Sequence, residues 1–140
     1  MLRQYVFPLL VMILVCVSGC SGGRCTVTGT VTYDEGGAVD GGIVIGEAMV
    51  NEKLVMVQGN IEKDGTFSWG GIKAGDGALP GSYKVLVMPI SLSENELSAG
   101  KFPAVDGKYT KYETSGLRFD VKDGKNEFQI KVTKPKPKVK

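Results

Sequence analysis

A chain of 140 residues with 42% apolar and 23% charged side chains can bury one core and is too apolar for a disordered polymer. Its charge of +2 divides unevenly: residues 20–133 hold 12 Lys+Arg against 15 Asp+Glu, while residues 134–140 hold four lysines and no acid. No basic stripe crosses the body, which argues against nucleic acid as a partner. The lack of histidine removes the commonest general base and metal ligand.

The chain starts MLRQYVFPLLVMILVCVSGC. Arg3 supplies a positive start, and an apolar run of 12 residues, Val6 to Val17, follows. A membrane-spanning helix needs about 20 such residues, so the run predicts a signal-peptide helix within residues 1–19. Next comes Val17-Ser18-Gly19-Cys20. This tetrapeptide resembles the bacterial lipobox, with valine where leucine is usual. The resemblance implies cleavage before Cys20 and lipid, of the palmitate kind, on Cys20. Two or three acyl chains would then anchor the protein far more firmly than one. Residues 20–24 form a short lipidated tether. Ser21 to Arg24 reach at most ~15 Å, so the folded part sits close to the bilayer.

The three cysteines thus separate. Cys16 leaves with the leader and Cys20 carries lipid. Cys25 remains, either buried and inert or pairing between molecules.

From Cys25 the residues alternate. Val27, Val31 and Tyr33 face one way with Gly29 among them, and Thr26, Thr28, Thr30 and Thr32 face the other. Period two with β-branched residues predicts a half-buried strand. Residues 34–42 are a turn-rich loop, and further strands are expected over Ile43–Val50 and Lys53–Gly59. Phe67 and Trp69 share a face after the turn at Lys63 to Gly65, and Ser82 to Pro89 is another strand. Ser93 to Gly100 reads as loop, although Ser93 and Glu96 have capping-box spacing. Leu117, Phe119 and Val121 alternate with polar residues, as do Phe128, Ile130 and Val132. With Asp123-Gly124 between them, these two segments predict an antiparallel hairpin. About seven strands and no convincing helix beyond the leader predict an all-β chain, a seven-stranded antiparallel β-sandwich over residues 25–133.

Three blocks, Thr28–Gly42, Asp64–Pro89 and Lys108–Val132, carry a wider resemblance. They are similar to small lipoproteins of planctomycete-type bacteria with a transthyretin-like (prealbumin-like), carboxypeptidase regulatory-like domain. That resemblance implies a Greek-key sandwich and no known reaction. In carboxypeptidases such a domain is accessory to a catalytic domain that this chain lacks.

Four Asp-Gly pairs, at Asp64, Asp76, Asp106 and Asp123, lack calcium-loop spacing and read as turns. Asp34, Glu35 and Asp40 share a solvated loop. No catalytic residue, metal ligand or cofactor is expected, and the chain reads as a non-enzyme. Phe67, Trp69 and Tyr83 are core candidates. Tyr109 and Tyr112 are the candidates for exposed partner contact. The Lys/Pro tail, residues 134–140, is extended and solvated and suits an anionic lipid or wall polymer. The resulting expectation is a lipid-anchored lipoprotein of the cell membrane or outer membrane, facing the periplasm or exterior. Its sandwich would contact an envelope protein or a glycan, with homo-oligomers forming through sheet edges or Cys25. The alternative is a carrier for a small apolar ligand, held between sheets or subunits in a cavity lined by Val85, Phe119 and Ile130.

Overall fold

A computed structural model of the chain describes residues 23–136. The leader, Cys16, Cys20 and the end of the tail lie outside the described residues. The threonine–valine alternation forms strand β1 (Val27–Tyr33), with Val27 and Val31 buried and Thr28 exposed. Then come β2 (Ile43–Val50), β3 (Lys53–Asn60), β4 (Thr66–Ser68) and β5 (Gly81–Met88). After β5 a long connection holds helices α1 (Glu94–Ser98) and α2 (Tyr112–Ser115), and β6 (Leu117–Val121) and β7 (Asn126–Val132) end the fold. The strands form two sheets, ordered β4-β1-β7 and β3-β2-β5-β6. The fold is all-β and sandwich-like, with one core between the sheets.

The expected β6–β7 hairpin does not form, because the two strands belong to different sheets. Asn126 Oδ1 accepts from the Lys122 amide at 3.0 Å, and its Nδ2 donates to the Lys122 carbonyl at 2.8 Å. This turn carries the chain across the sandwich instead of back along one sheet. β7 therefore runs parallel to β1, from Val27 opposite Asn126 to Tyr33 opposite Val132. The purely antiparallel expectation fails at this pairing. Alternation could not reveal it, since both strands keep one apolar face whether they pair or oppose. The rings of Phe119 and Phe128 record the arrangement, stacking between the sheets 4.1 Å apart and 12° from parallel.

Residues 94–98 are helical, against the loop expectation. Ser93 caps the helix, and Glu96 Oε2 accepts from the Ser93 amide at 3.0 Å, completing a capping box. That amide bond, then the Lys101 ammonium and the Ser93 hydroxyl, pull the Glu96 pKa from 4.5 down to about 2. A carboxyl with a depressed folded-state pKa contributes stability above its unfolded value and loses it as pH falls through the folded one. The cap of α1 is thus expected to be intact above pH 4.5 and to open toward pH 2. An NMR titration of Glu96 checks this; a midpoint at the unperturbed carboxylate value would contradict it.

α2 closes a gap beside β5. β6 pairs with β5 only from Gly81 to Val85. Just beyond that pairing, the buried Ser115 hydroxyl donates to the Val85 carbonyl at 2.5 Å. Gly116, at φ +68°, turns the chain from α2 into β6. Ser115→Ala is expected to cost about 0.5–1.5 kcal/mol, the worth of the lost hydrogen bond to the Val85 carbonyl. Urea unfolding checks this, and an unchanged midpoint would contradict it.

Candidate functional site

Strand register sorts the connections between the two ends of the sandwich. β1 starts at the end where β7 starts and β4 finishes. β2 finishes, β3 and β5 start and β6 finishes at that same end. Residues 50–53, 69–80 and 121–126 therefore lie at the end where Arg24 and the expected tether enter, the tether end. Residues 33–43, 60–66, 88–117 and 132–136 form the distal end.

At the tether end the chain is clamped as soon as it enters the fold. Arg24 Nε lies 3.5 Å from Asp76 Oδ1, and Arg24 Nη2 donates to the Gly77 carbonyl at 2.9 Å. The Asp76 carboxylate also accepts from three successive amides, Gly71 at 2.8 Å, Ile72 at 3.2 Å and Lys73 at 3.1 Å. These bonds, that of Gly71 foremost, hold the Asp76 pKa below its ordinary value, with Arg24 adding to the effect. The Asp-Gly pair at Asp76 is thus a turn device that also fixes the last residue of the expected tether. Asp64 and Asp106 act similarly. Asp64 accepts from the Thr66 amide at 3.0 Å, and Asp106 from the Lys108 amide at 3.0 Å.

A concavity of about 460 Å³ lies beside β4, over the outer face of the three-stranded sheet. Thr28 and Thr30 of β1 oppose Ser68 and Thr66 of β4, so four hydroxyl side chains form two cross-strand pairs. Glu127 of β7 lies opposite Thr28 and adds a carboxylate. Glu62 and Asn60 complete the polar rim. Ser68 and Asn60 also line a smaller cleft beside Gly70 to Ala74. This lining offers donors and acceptors side by side, which suits a ligand rich in hydroxyls or amides.

The residues expected to matter fall in different places. Tyr109 is only 6% exposed and belongs to the core, so it is not the open contact expected for it. Its segment is drawn inward because the Asp106 amide donates to the Thr133 carbonyl and Tyr33 Oη donates to the Ala104 carbonyl. Tyr112 is half-buried, and its hydroxyl is enclosed without a hydrogen-bond partner. Burial first, then the charge of Glu47, raises its pKa. Cys25 is wholly buried, and its backbone pairs with Ala78 at 2.7 and 2.9 Å. A disulfide between molecules through Cys25 would require that end of the sandwich to open. Val85, Phe119 and Ile130 pack into one continuous core, where Trp69 meets the rings of Phe67, Tyr83, Phe119 and Phe128 at 5.4–6.5 Å. The first tail lysine leaves from the distal end, bound to Glu35 at 2.8 Å and lying 4.8 Å above the Tyr33 ring.

The hydroxyl-lined concavity has a visible signal in the alternating threonines of residues 26–32, which period two marks only as one face of a half-buried strand. The Arg24–Asp76 clamp has none, because its partners are separated by half the domain and their link depends on loop shape. Among the described residues no helix is long and apolar enough to cross a membrane. Comparison with protein-family models, curated proteins and solved structures finds no match.

Proposed function

We propose that this chain is a cell-envelope lipoprotein, anchored through lipid on Cys20, whose sandwich is a non-catalytic binding or structural module. In this reading the sandwich is a seven-stranded Greek-key domain of the transthyretin-like, carboxypeptidase regulatory-like kind. It stands on the cell membrane or outer membrane and faces the periplasm or exterior. The observation that carries the binding reading is the hydroxyl- and carboxylate-lined concavity beside β4. Its Thr28–Ser68 and Thr30–Thr66 pairs lie on paired strands, so a polar glycan or peptide would meet preset partners at little ordering cost. The space between the sheets is occupied by aromatic and aliphatic side chains, which favours this reading over an apolar carrier.

The test is retention of the purified lipoprotein on isolated cell-envelope polymer, comparing wild type with Thr30→Arg. The arginine would fill the concavity from an outward-facing strand position and leave the core untouched. Retention lost in Thr30→Arg and kept in Phe102→Ser, a distal control, supports the reading. Equal retention by all three proteins would refute a role for the concavity.

A further inference from the structure

We propose that the tether end of the sandwich docks on the anchoring bilayer, with Ile72 entering the lipid interface and surrounding lysines meeting anionic headgroups. The inference rests on the reading of Cys20 as the lipidated residue and adds an orientation to it. Cys20 is four residues from Arg24, so its lipid lies within about 15 Å of that side chain. Arg24 is clamped to the 70–77 loop. A β-carbon placed on Gly71 would lie 2.2 Å from Arg24 Nη2, which shows how closely the loop touches the entering chain. The next residue, Ile72, is 83% exposed, the most exposed large apolar side chain among the described residues. Three loop amides bound to Asp76 hold Ile72 outward, so its exposure does not come from a loose loop.

Charge points the same way. The tether-end connections carry five cations, Arg24, Lys53, Lys73, Lys122 and Lys125, against three carboxylates. The four lysines are exposed and make no ion pair among the described residues. The distal connections carry nine carboxylates against six cations over the described residues. The described residues are therefore polarised along the strands, positive at the end next to the expected anchor and negative opposite, with Lys138 and Lys140 following in the tail. An anionic leaflet attracts the first end, at about 1 kcal/mol per lysine near the surface. One exposed isoleucine adds apolar contact at the depth where amphipathic side chains settle. The seven residues of β7 keep the distal end about 23 Å farther away. The basic tail then starts from the face turned away from the anchor.

The test uses full-length protein processed and lipidated in a bacterial host, then reconstituted in phosphatidylcholine vesicles containing phosphatidylglycerol. Ile72→Cys and Phe102→Cys each take an environment-sensitive dye. Cys25 is buried and Cys20 is capped by lipid, so labelling is selective. Quenching by headgroup spin-labelled lipid should be severalfold stronger at position 72 than at position 102. The difference should shrink when phosphatidylglycerol is omitted or when Lys73→Glu and Lys122→Glu are combined. If the protein floats with the vesicles and both positions are quenched equally, the docking orientation is wrong. If the wild-type protein does not float at all, the anchor reading fails, and the orientation fails with it.

Discussion

Trp69→Ala is expected to destabilise the sandwich by about 3–5 kcal/mol, a large part of a small domain's stability. The indole is fully buried, and four aromatic rings from both sheets surround it. Its far edge rests on Gly46 of β2, where a β-carbon would lie 2.6 Å from the indole. Glycine at that position makes room for the ring. Gly46→Ala is therefore also destabilising in the wild type, by about 1–3 kcal/mol through overpacking. In a Trp69→Phe background, where the smaller ring withdraws, most of that cost should disappear. Trp69 Nε1 has no hydrogen-bond partner, so phenylalanine also removes an unpaired buried donor and should be far milder than alanine. Denaturant midpoints at constant slope measure the wild type and all four variants. Additive costs for Gly46→Ala and Trp69→Phe would contradict the packing account.

Gly77→Ala is the second large effect. Gly77 has φ +85°, and a β-carbon there would lie 2.1 Å from the Cys25 carbonyl oxygen. The positive φ alone costs a non-glycine residue about 1–3 kcal/mol. The overlap is with backbone, so the chain at Cys25, just before β1, must shift to relieve it. That shift would strain the Cys25–Ala78 bridge and the Arg24 bond to the Gly77 carbonyl together. Gly36→Ala is the matched control, with φ +99° and nothing within 4 Å of the added carbon. The expected result is a clearly larger fall in melting temperature for Gly77→Ala, with faster hydrogen exchange at the Cys25 and Ala78 amides. Equal falls for the two variants would show that the close approach to Cys25 carries no energy.

The strands were legible because their alternation is local. Val27, Val31, Phe119, Val121, Ile130 and Val132 are buried where period two places them. What alternation cannot encode is which sheet a strand joins. Phe119 and Phe128 look alike in sequence whether they neighbour each other in one sheet or stack between two. The deciding contacts are those of Asn126 with Lys122 and with Thr26, the second formed across the whole length of the domain. α1 is legible in its capping box, but its five residues bury nothing, so no apolar period marks it as a helix. Tyr109 is the opposite case. Nothing local reveals that Ala104 and Asp106 tie its segment to the ends of β1 and β7. The concavity was half legible. The threonines of β1 were visible as a row, but Thr66 and Ser68 join them only through the register of β4.

The anchor is the point on which the functional account turns, and one labelling experiment addresses it directly. Cells expressing wild type or Cys20→Ala are grown with a radiolabelled fatty acid, and the protein is recovered by immunoprecipitation. The account predicts label on the wild-type protein and none on Cys20→Ala, which should also keep its leader and migrate more slowly. Label that persists in Cys20→Ala, or a wild-type protein that takes up none, would contradict it.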